Sequence, residues 1–534
     1  MKRYTGRTMI WLLLCLGFAG CTLAQNAQFW NDQAQDTLQK ALTREASLNR
    51  NVAKNIVFFL GDGMGVSTVT AARIMKGQQA GMTGEETVLS WEKFPSVALS
   101  KTYNTNRQVP DSAGTATAFF CGVKTKAQMI GVDDQAVEGD CQSSLNAAVD
   151  SVMTDAEKEG KATGFVTTAR VTHATPACLY AHSPDRGWEN NADIPAAEAA
   201  LGCTDIAHQL VTLGQNIKVI MGGGRREMIP DNFTDYEYPA LTGQRTDGRN
   251  LVDEWLASKD AQTSHFVWNL DRFNEVDPEN TEYLLGLFES SHMQYEAERT
   301  NEPSIAEMTE KAIRILQKDS DGFFLMVEGG RIDHAHHGGF AGYALNDTVA
   351  FDAAVAKAME LTNEEDTLII VTADHSHVMT LGGYPSRGNP ILGLYDLGVG
   401  TDGLPFTSIG YANGPGGIAD RVSYEMFGQR RNLTDADTET PRFIQPAIVP
   451  RDSESHGGED VAIYANGPMS HLFHGVHEQH YIAHVVRYAA CLGNKQHCDE
   501  YVAPCGSGTS SAPSWGVTMI AVLVNLWMAL ILPK

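Results

Sequence analysis

The chain has 534 residues and a formal net charge of −25 at pH 7, with 65 acidic side chains against 40 basic ones. Such acidity argues against nucleic-acid binding, which needs basic side chains to neutralise phosphates. The length exceeds one ordinary domain, although a single elaborated α/β enzyme can reach it. An acidic surface does not exclude an anionic substrate, because bound cations can reverse the local field.

The first residues have the pattern of a secretory signal. Basic residues precede an apolar run over residues 9–18, and small residues follow it. This run is too short for a membrane span, so we expect residues 1–24 to be a cleaved signal peptide. An alternative is a bacterial lipoprotein box, in which Cys21 becomes the lipidated first residue.

The last residues resemble a second processing signal. Small residues over 506–512 lead through a polar spacer into an apolar tail over 517–532. This order predicts glycosylphosphatidylinositol (GPI) attachment at Ser507, removal of the propeptide 508–534 and a mature domain over 25–507. The alternative is a tail-anchored or single-pass helix, although a typical span of ~20 residues would be longer.

The cysteines and sequons agree with an oxidising, secretory route. Sequons begin at Asn232, Asn346 and Asn432. The cysteines between the two signals, apart from Cys505 beside the anchor site, are Cys121, Cys141, Cys178, Cys203, Cys491 and Cys498. Six cysteines allow 15 pairings, and spacing favours only the tight loop between Cys491 and Cys498. None has zinc-finger spacing, so metals here would be held by histidine and carboxylate.

Apolar runs typical of buried strands end directly in polar loops. The runs cover residues 55–60, 164–168, 217–221, 323–327, 367–371 and 461–464. They alternate with helical stretches over 304–317 and 346–361, which predicts an α/β fold: a doubly wound, largely parallel central sheet with helices on both faces. Ligands bind beyond the carboxyl ends of strands in such sheets, where the polar residues lie here.

One segment departs from this alternation. Residues 382–453 are rich in glycine, proline and polar side chains, with only short strand-like pieces. We expect an insertion within the main domain, serving as an interface or a lid. No internal repeat or low-complexity tract is evident.

Three polar clusters carry the chemistry. They are residues 110–116 around Ser112, residues 328–337 with Glu328, Asp333 and His337, and residues 372–377 with Asp374 and His375. Zinc binds histidine nitrogen and carboxylate oxygen, whereas magnesium prefers oxygen alone. These ligands exceed the needs of one ion, and a serine beside several ions is suited to displacement at phosphorus or sulfur. The sequence therefore predicts a metallohydrolase.

The metal interpretation depends on placement. Asp333 and His337 are four residues apart and face one way on a helical turn, and His456 could complete their site. Asp374 and His375 are adjacent and could reach a second ion from a bent loop.

Three of these residues have simpler explanations when each is taken alone. Asp62, flanked by glycines, could serve only a tight turn. Ser112 could be a helix N-cap, and Arg186 could be an ordinary surface arginine. As a functional residue, Arg186 would clamp two oxygens of a phosphate.

Taken together, these segments closely resemble the alkaline phosphatase family, specifically its animal-type, GPI-anchored members, over about residues 55–498. The resemblance implies hydrolysis of small phosphate monoesters through a phosphoserine on Ser112, with two zinc ions and one magnesium ion. Asp333, His337 and His456 would hold the first zinc, and Asp374, His375 and Asp62 the second, which lies against Ser112. Asp62, Thr175 and Glu328 would hold magnesium near His173, and Arg186 would grip the phosphate. His334, His336 and His377 are further imidazoles that surround these ligands.

The resemblance also implies features outside the catalytic centre. Calcium would be bound by Glu237, the Phe288 carbonyl, Glu289 and Glu302, although Glu302 stands where these enzymes usually have aspartate. The implied disulfides are Cys141–Cys203 and Cys491–Cys498, with Cys121 left as a buried free thiol. The implied assembly is a homodimer on the outer face of the cell membrane, and residues 382–453 match its "crown" insertion.

Two other functions deserve comparison. A sulfatase, phosphodiesterase or phosphonate hydrolase of the same superfamily is one, but the sulfatase pattern Cys/Ser-x-Pro-x-Arg is not present around Ser112. The other is a catalytically silent, GPI-anchored surface receptor, for which we would expect decayed ligands. The intact ligand set favours the phosphatase.

Overall fold

The computed structural model describes residues 48–493. The strands are β1 (Asn55–Gly61), β2 (Ser96–Lys101), β3 (Ala162–Arg170), β4 (Val219–Gly223), β5 (Ser264–Val267), β6 (Tyr283–Leu287), β7 (Phe323–Gly329), β8 (Thr367–Ala373), β9 (Ser376–His377), β10 (Met379–Leu381), β11 (Ile409–Gly414), β12 (Ala447–Pro450), β13 (His456–Gly457), β14 (Val461–Asn466) and β15 (Gly475–Glu478).

The helices are α1 (Val66–Gln79), α2 (Ser112–Ala116), α3 (Cys141–Ala147), α4 (Val152–Lys158), α5 (Ala174–Ala177), α6 (Ala196–Ala199), α7 (Ile206–Thr212), α8 (Arg225–Met228), α9 (Leu251–Ala257), α10 (Leu270–Glu275), α11 (Ile305–Leu316), α12 (Arg331–His337), α13 (Ala341–Leu361), α14 (Pro415–Phe427) and α15 (Tyr481–Ala489). Short 3₁₀ turns lie at Ser90–Lys93, Glu296–Glu298 and Ser470–Leu472, and a π-helical turn at Thr117–Cys121 continues α2.

Ten strands form the central sheet in the order β15-β2-β14-β8-β1-β7-β3-β4-β6-β5. Within it, β14 pairs antiparallel with β2 and β8, and the other neighbouring strands pair in parallel. Alternate residues of β1 enter opposite apolar cores: Ile56, Phe58 and Leu60 pack on one side, Val57 and Phe59 on the other. The sheet is therefore covered on both faces, which confirms the predicted α/β class.

The strand register determines where polar residues emerge. Gly61 of β1 pairs with Gly329 of β7 and with Ala373 of β8, so these three parallel strands end side by side. Asp62 follows β1 directly, Asp374 follows β8, and Glu328 lies at the end of β7. The predicted convergence of polar residues at the carboxyl edge is confirmed.

The two predicted helices are present with adjusted bounds. α11 follows Ser304, whose hydroxyl accepts from the Glu307 backbone N–H while the Glu307 carboxylate accepts from the Ser304 N–H. This capping box explains why the helix starts where the sequence indicated. α13 begins five residues earlier than predicted, at Ala341 rather than 346.

The segment 382–453 contains a helix that the sequence interpretation missed. β11 and β12 pair in parallel and β10 pairs antiparallel with β11, as expected of short strand-like pieces, but the 13-residue α14 lies between β11 and β12. Its first turn reads Pro-Gly-Gly, which looks like a loop. A Cβ on Gly416 would lie 1.9 Å from the Gln445 carbonyl oxygen, so glycine here allows the helix to pack closely on β12.

The structure confirms the cysteine predictions that fall within the described residues. Cys141 and Cys203 form a disulfide, and Cys121 and Cys178 are buried free thiols. The Cys491–Cys498 pairing lies partly outside the described residues, because Cys498 falls beyond residue 493. The signal peptide over residues 1–24, the attachment residue Ser507 and the propeptide lie outside them as well. In the described range, 48–493, no helix has the length and apolar character needed to cross a bilayer.

The sequons occupy different surroundings. Asn232 and Asn432 are exposed outside helices and strands. Asn346 lies within α13, where its side-chain nitrogen donates to the Gly342 carbonyl and the buried Thr348 hydroxyl donates to the Ala344 carbonyl. The sequon at Asn346 is therefore part of a regular helix rather than a surface turn.

Candidate active site

Buried carboxylates line the edge where β1, β7 and β8 end. Asp62, Glu328 and Asp374 are each fully buried. The Asp374 carboxylate accepts from the backbone N–H of Gly63 at 2.9 Å, which ties the two loops together. Gly63 has φ +68°, and a Cβ there would lie 2.5 Å from the His377 ring, so only glycine fits this turn.

Ser112 is the first residue of α2, directly after the N-cap. The cap is Asp111, whose carboxylate accepts from the Gly114 N–H at 3.1 Å. The alternative that Ser112 serves as the N-cap is therefore wrong. Its hydroxyl oxygen lies 3.2 Å from His375 Nε2 and 3.5 Å from Asp62 Oδ1, and only 2 % of the residue is exposed.

Asp333, His337, His377 and His456 bring their ligand atoms within 4.8 Å of one another. His337 Nδ1 lies 2.6 Å from the Glu454 carbonyl, and His456 Nδ1 lies 2.8 Å from the Pro110 carbonyl. A carbonyl only accepts, so each Nδ1 carries the proton and each Nε2 presents a lone pair.

These two Nε2 atoms are 3.1 Å apart and lie 3.4 and 3.3 Å from Asp333 Oδ1. Three acceptors facing one another in a largely buried site repel unless a cation lies among them. A mixed nitrogen and oxygen set of this kind suits zinc.

A second convergence surrounds His375. Its Nδ1 donates to the Ser376 carbonyl at 3.2 Å, so its Nε2 presents a lone pair. That lone pair faces Asp374 Oδ2 at 3.0 Å and Asp62 Oδ1 at 3.7 Å. The donor set again fits a cation, and this one would lie against the Ser112 hydroxyl.

A third group joins Asp62, His173 and Glu328. Among the residues that the structure describes, three buried oxygens at this edge have no hydrogen-bond partner: Asp62 Oδ2, Glu328 Oε1 and Thr175 Oγ1. The second Glu328 oxygen accepts from the Thr167 hydroxyl at 2.5 Å. Orphaned buried oxygens are costly, and an oxygen-binding cation such as magnesium would satisfy them.

The carboxylate pKa values also indicate that this edge of the sheet buries more negative charge than its own side chains neutralise. Burial, followed by the charges of Asp374 and Asp333, raises the pKa of Asp62 well above its usual range. Burial also raises the pKa of Glu328 to about 7. At Asp333, burial acts in the same direction, but His337 and His377 lower the pKa well below the usual value. Bound cations would remove the destabilisation at Asp62 and Glu328.

Arg186 is held beside the serine. Its Nη1 lies 3.2 Å from Asp111 Oδ2, and its Nη2 lies 3.2 Å from His173 Nε2. Its side chain is 20 % exposed, so the ordinary-surface explanation for Arg186 is wrong. The guanidinium is oriented by the residue that precedes Ser112.

Comparisons with known proteins agree with this geometry. A family model described as alkaline phosphatase matches residues 53–492. The chain is 52 % identical to the tissue-nonspecific isozyme of alkaline phosphatase from Felis catus, covering 92 % of this chain and 93 % of that one. It is 50 % identical to alkaline phosphatase from Gadus morhua, covering 88 % and 98 %. The chain belongs to the alkaline phosphatase family.

This membership makes the protein a metal-dependent phosphatase that hydrolyses phosphate monoesters, as the sequence predicted. Solved structures support the fold. Alkaline phosphatase from Thermus thermophilus has a TM-score of 0.59 at 24 % identity, covering 84 % of this chain and 93 % of that one. The enzyme from the Antarctic bacterium TAB5 has a TM-score of 0.57 at 22 % identity, covering 83 % and 100 %.

The remaining imidazoles of this alkaline phosphatase surround the predicted ligands. His377 lies between Asp333 Oδ1 at 2.7 Å and Glu454 Oε2 at 2.5 Å. His336 contacts the Thr68 hydroxyl at 3.0 Å and the Tyr411 hydroxyl at 2.8 Å.

His334 lies with His173 in a three-imidazole group whose third member, His292, the sequence interpretation missed. Each of these imidazoles contacts an arginine: His334 contacts Arg331, His173 contacts Arg186, and His292 contacts Arg170. His292 follows β6 in a loop without a recognisable motif, so no sequence signal marked it. Glu454 was also missed, although it stands only two residues before His456.

The predicted calcium ligands lie near one another without forming a tight cluster. Glu289 and Glu302 both accept from Gln294, at 3.0 and 2.7 Å, while Glu237 pairs with Arg225 at 3.1 Å. Within residues 48–493, these three carboxylates are not among the groups whose ligand atoms converge within 4.8 Å. Burial raises the pKa of Glu302 to about 8. Calcium binding by these residues and the Phe288 carbonyl stays a prediction.

Proposed function

We propose that Ser112 is the nucleophile of this phosphatase. Its hydroxyl oxygen bonds to phosphorus as the bond from phosphorus to the substrate's alcohol oxygen breaks, and the alcohol leaves. Water then cleaves the phosphoserine and restores the serine hydroxyl. The observation that carries this proposal is the position of the buried Ser112 Oγ, which lies 3.2 Å from His375 Nε2 and 3.5 Å from Asp62 Oδ1.

We assign the metal ligands from the chemistry of each donor set. Asp333, His337 and His456 would hold one zinc ion, and Asp374, His375 and Asp62 the other, because imidazole nitrogen with carboxylate oxygen suits zinc. Asp62, Thr175 and Glu328 would hold magnesium, with His173 nearby, because their donors are oxygens. Bound cations of this kind stabilise the negative charge that develops on attacking and leaving oxygens.

Arg186 would bind the substrate phosphate. A guanidinium can donate two parallel hydrogen bonds to nonbridging phosphate oxygens. Asp111 orients the Arg186 side chain and also caps the helix that begins with Ser112. Asp111 therefore positions both Arg186 and Ser112, which would hold a bound phosphate and the attacking oxygen in a fixed relation.

We further infer a secreted, GPI-anchored homodimer. The inference is supported by the predicted terminal signals and by the exposed sequons at Asn232 and Asn432. At Asn432 the side-chain oxygen accepts from the Thr434 hydroxyl at 2.7 Å, an arrangement that an exposed turn can present to a glycosylating enzyme. Exposed apolar side chains on α14 and β12 support self-association through the insertion.

The deciding experiment measures phosphate release from an aryl phosphate at alkaline pH, with and without chelator. We expect turnover that chelator abolishes and zinc plus magnesium restore. Ser112→Ala should keep its zinc and lose activity by at least about 10³-fold, as removal of a nucleophile does in other hydrolases. Undiminished turnover by Ser112→Ala would remove this residue from the mechanism. Ser320→Ala, at an exposed serine in the turn before β7, is the matched control.

A further inference from the structure

Glu454 contacts two of the imidazoles that surround Asp333. The residue is 1 % exposed and precedes His456 by two positions. Its carboxylate accepts from His377 Nδ1 at 2.5 Å and from the Val378 backbone N–H at 2.8 Å. Its backbone carbonyl accepts from His337 Nδ1 at 2.6 Å, and its own N–H donates to the His337 carbonyl at 2.9 Å.

These contacts determine how both rings face the site. Because the Glu454 carbonyl takes the His337 Nδ1 proton, the Nε2 lone pair of His337 points toward Asp333. Because the Glu454 carboxylate holds the other edge of His377, the Nε2 of that ring stays 2.7 Å from Asp333 Oδ1. Glu454 therefore orients the proposed ligand His337 through its backbone carbonyl. Through its carboxylate it also orients His377, which contacts the second proposed ligand, Asp333.

The packing around Glu454 leaves little freedom for it to move. Gly414 at the end of β11 has φ +134°, and a Cβ there would lie 3.0 Å from the Glu454 Cβ. The adjacent Ser455 exchanges two hydrogen bonds with Asn413, at 3.0 and 2.9 Å. Within residues 48–493, the only ion pair of the Glu454 carboxylate is with His377.

We propose that Glu454 is a positioning residue for the first zinc site: its carboxylate holds His377 against Asp333 so that the site retains zinc tightly. Its carboxylate contacts His377 and Val378, whereas the Ser112 hydroxyl contacts His375 and Asp62. The proposal rests on the assignment of Asp333, His337 and His456 as zinc ligands. Residues that orient ligands in this way typically contribute 10–100-fold to metal affinity.

The test measures zinc dissociation by competition with a chelator and, independently, the visible spectrum of the cobalt-substituted enzyme. Glu454→Ala should weaken zinc binding by about 10–100-fold and alter the cobalt spectrum. Glu454→Gln is nearly isosteric, and its amide can still contact both Val378 and His377, so we expect a smaller loss. The control is Glu459→Ala, at an exposed carboxylate just after β13, which should bind zinc like the unaltered enzyme.

A double-mutant cycle separates positioning from general stability. If Glu454 acts through His377, then Glu454→Ala should add little to the effect of His377→Ala. Fully additive effects would overturn the proposed route, and unchanged zinc affinity in Glu454→Ala would overturn the proposal itself. Asp333→Ala is the check on the ligand assignment: if this variant retains all its zinc, the proposed site fails, whatever the role of Glu454.

Discussion

Backbone carbonyls decide the protonation of the imidazoles in this site. His337, His375 and His456 each donate Nδ1–H to a carbonyl oxygen, from Glu454, Ser376 and Pro110 respectively. Each ring therefore presents the Nε2 lone pair inward, toward carboxylates that are also acceptors. The metal requirement of the enzyme agrees with this arrangement, because a bound cation satisfies acceptors that face one another.

At Glu328, the destabilisation that results from burying a carboxylate without a bound cation should depend on pH. Burial raises its pKa to about 7 in the folded chain, compared with 4.5 for the unperturbed group. A carboxyl group with a raised folded pKa stabilises the fold below its unfolded pKa, and that stability is lost as pH rises through about 7. This pKa shift corresponds to a change of about 3 kcal/mol in the free energy of unfolding.

We therefore predict that metal-free enzyme becomes less stable, relative to metal-free Glu328→Gln, as pH rises from about 4.5 to about 8. Denaturant unfolding of both proteins at several pH values measures the difference, and comparing two variants cancels the titration of groups that do not interact with Glu328. In metal-loaded enzyme the bound cation should keep Glu328 ionised, so the unaltered protein should show no such loss. A pH-independent difference between the metal-free proteins would contradict the prediction.

The residues that sequence alone could identify are those in recognisable clusters. Asp333, His337, Asp374 and His375 stand in short runs after apolar strands, and the strand register then brings Asp62 beside them. Glu454 could not be recognised, because its role depends on a contact with His377 across 77 positions of the chain.

At the level of elements, strand β11 connects the insertion to the site. Tyr411 on this strand is buried, and its hydroxyl lies 2.8 Å from Nδ1 of His336, whose ring stacks on His377 at 4.8 Å. The neighbouring backbone N–H of Ala412 in β11 donates to the Val378 carbonyl at 3.0 Å. The insertion thus packs directly behind the imidazoles that surround Asp333.

Removing the hydroxyl in Tyr411→Phe should leave His336 Nδ1 buried without a partner. We expect a loss of about 1–3 kcal/mol in the free energy of unfolding, since an unsatisfied buried polar group costs that much. A thermal melt of the metal-loaded enzyme should show a lower midpoint. Tyr424→Phe, at an exposed tyrosine on α14, is the control and should melt like the unaltered enzyme. Equal midpoints for the two variants would show that the Tyr411 contact contributes nothing.

The elements themselves were predictable to different degrees. The strands of the central sheet read as continuous apolar runs because both of their faces are buried. α14 escaped prediction because its first turn needs glycines for contact with β12 and much of its remaining surface is exposed. A surface helix that begins with Pro-Gly-Gly has neither the composition nor the apolar periodicity of a core helix.

On the scale of the whole molecule, the most exposed large apolar side chains within residues 48–493 lie on the insertion, residues 382–453. On α14, Met426 is 68 % and Phe427 70 % exposed, and on the adjoining β12 Ile448 is 84 % exposed. Large exposed apolar side chains grouped on one surface typically mark a protein interface. A second copy of the chain would bury them, in agreement with the proposed homodimer.

We predict that replacing both Phe427 and Ile448 with serine converts the proposed dimer to a monomer. The two substitutions remove the most exposed apolar side chain of each element, and each buried side chain of this size contributes about 1.5–3 kcal/mol to association. Light scattering of the enzyme truncated after Ser507 should give twice the chain mass before substitution and once the chain mass after it. Leu145→Ser, at a leucine 52 % exposed on α3, is the control, because its loss of apolar surface lies outside the insertion. An unchanged mass in the double variant would assign self-association to another surface, and a single-chain mass before substitution would exclude the dimer.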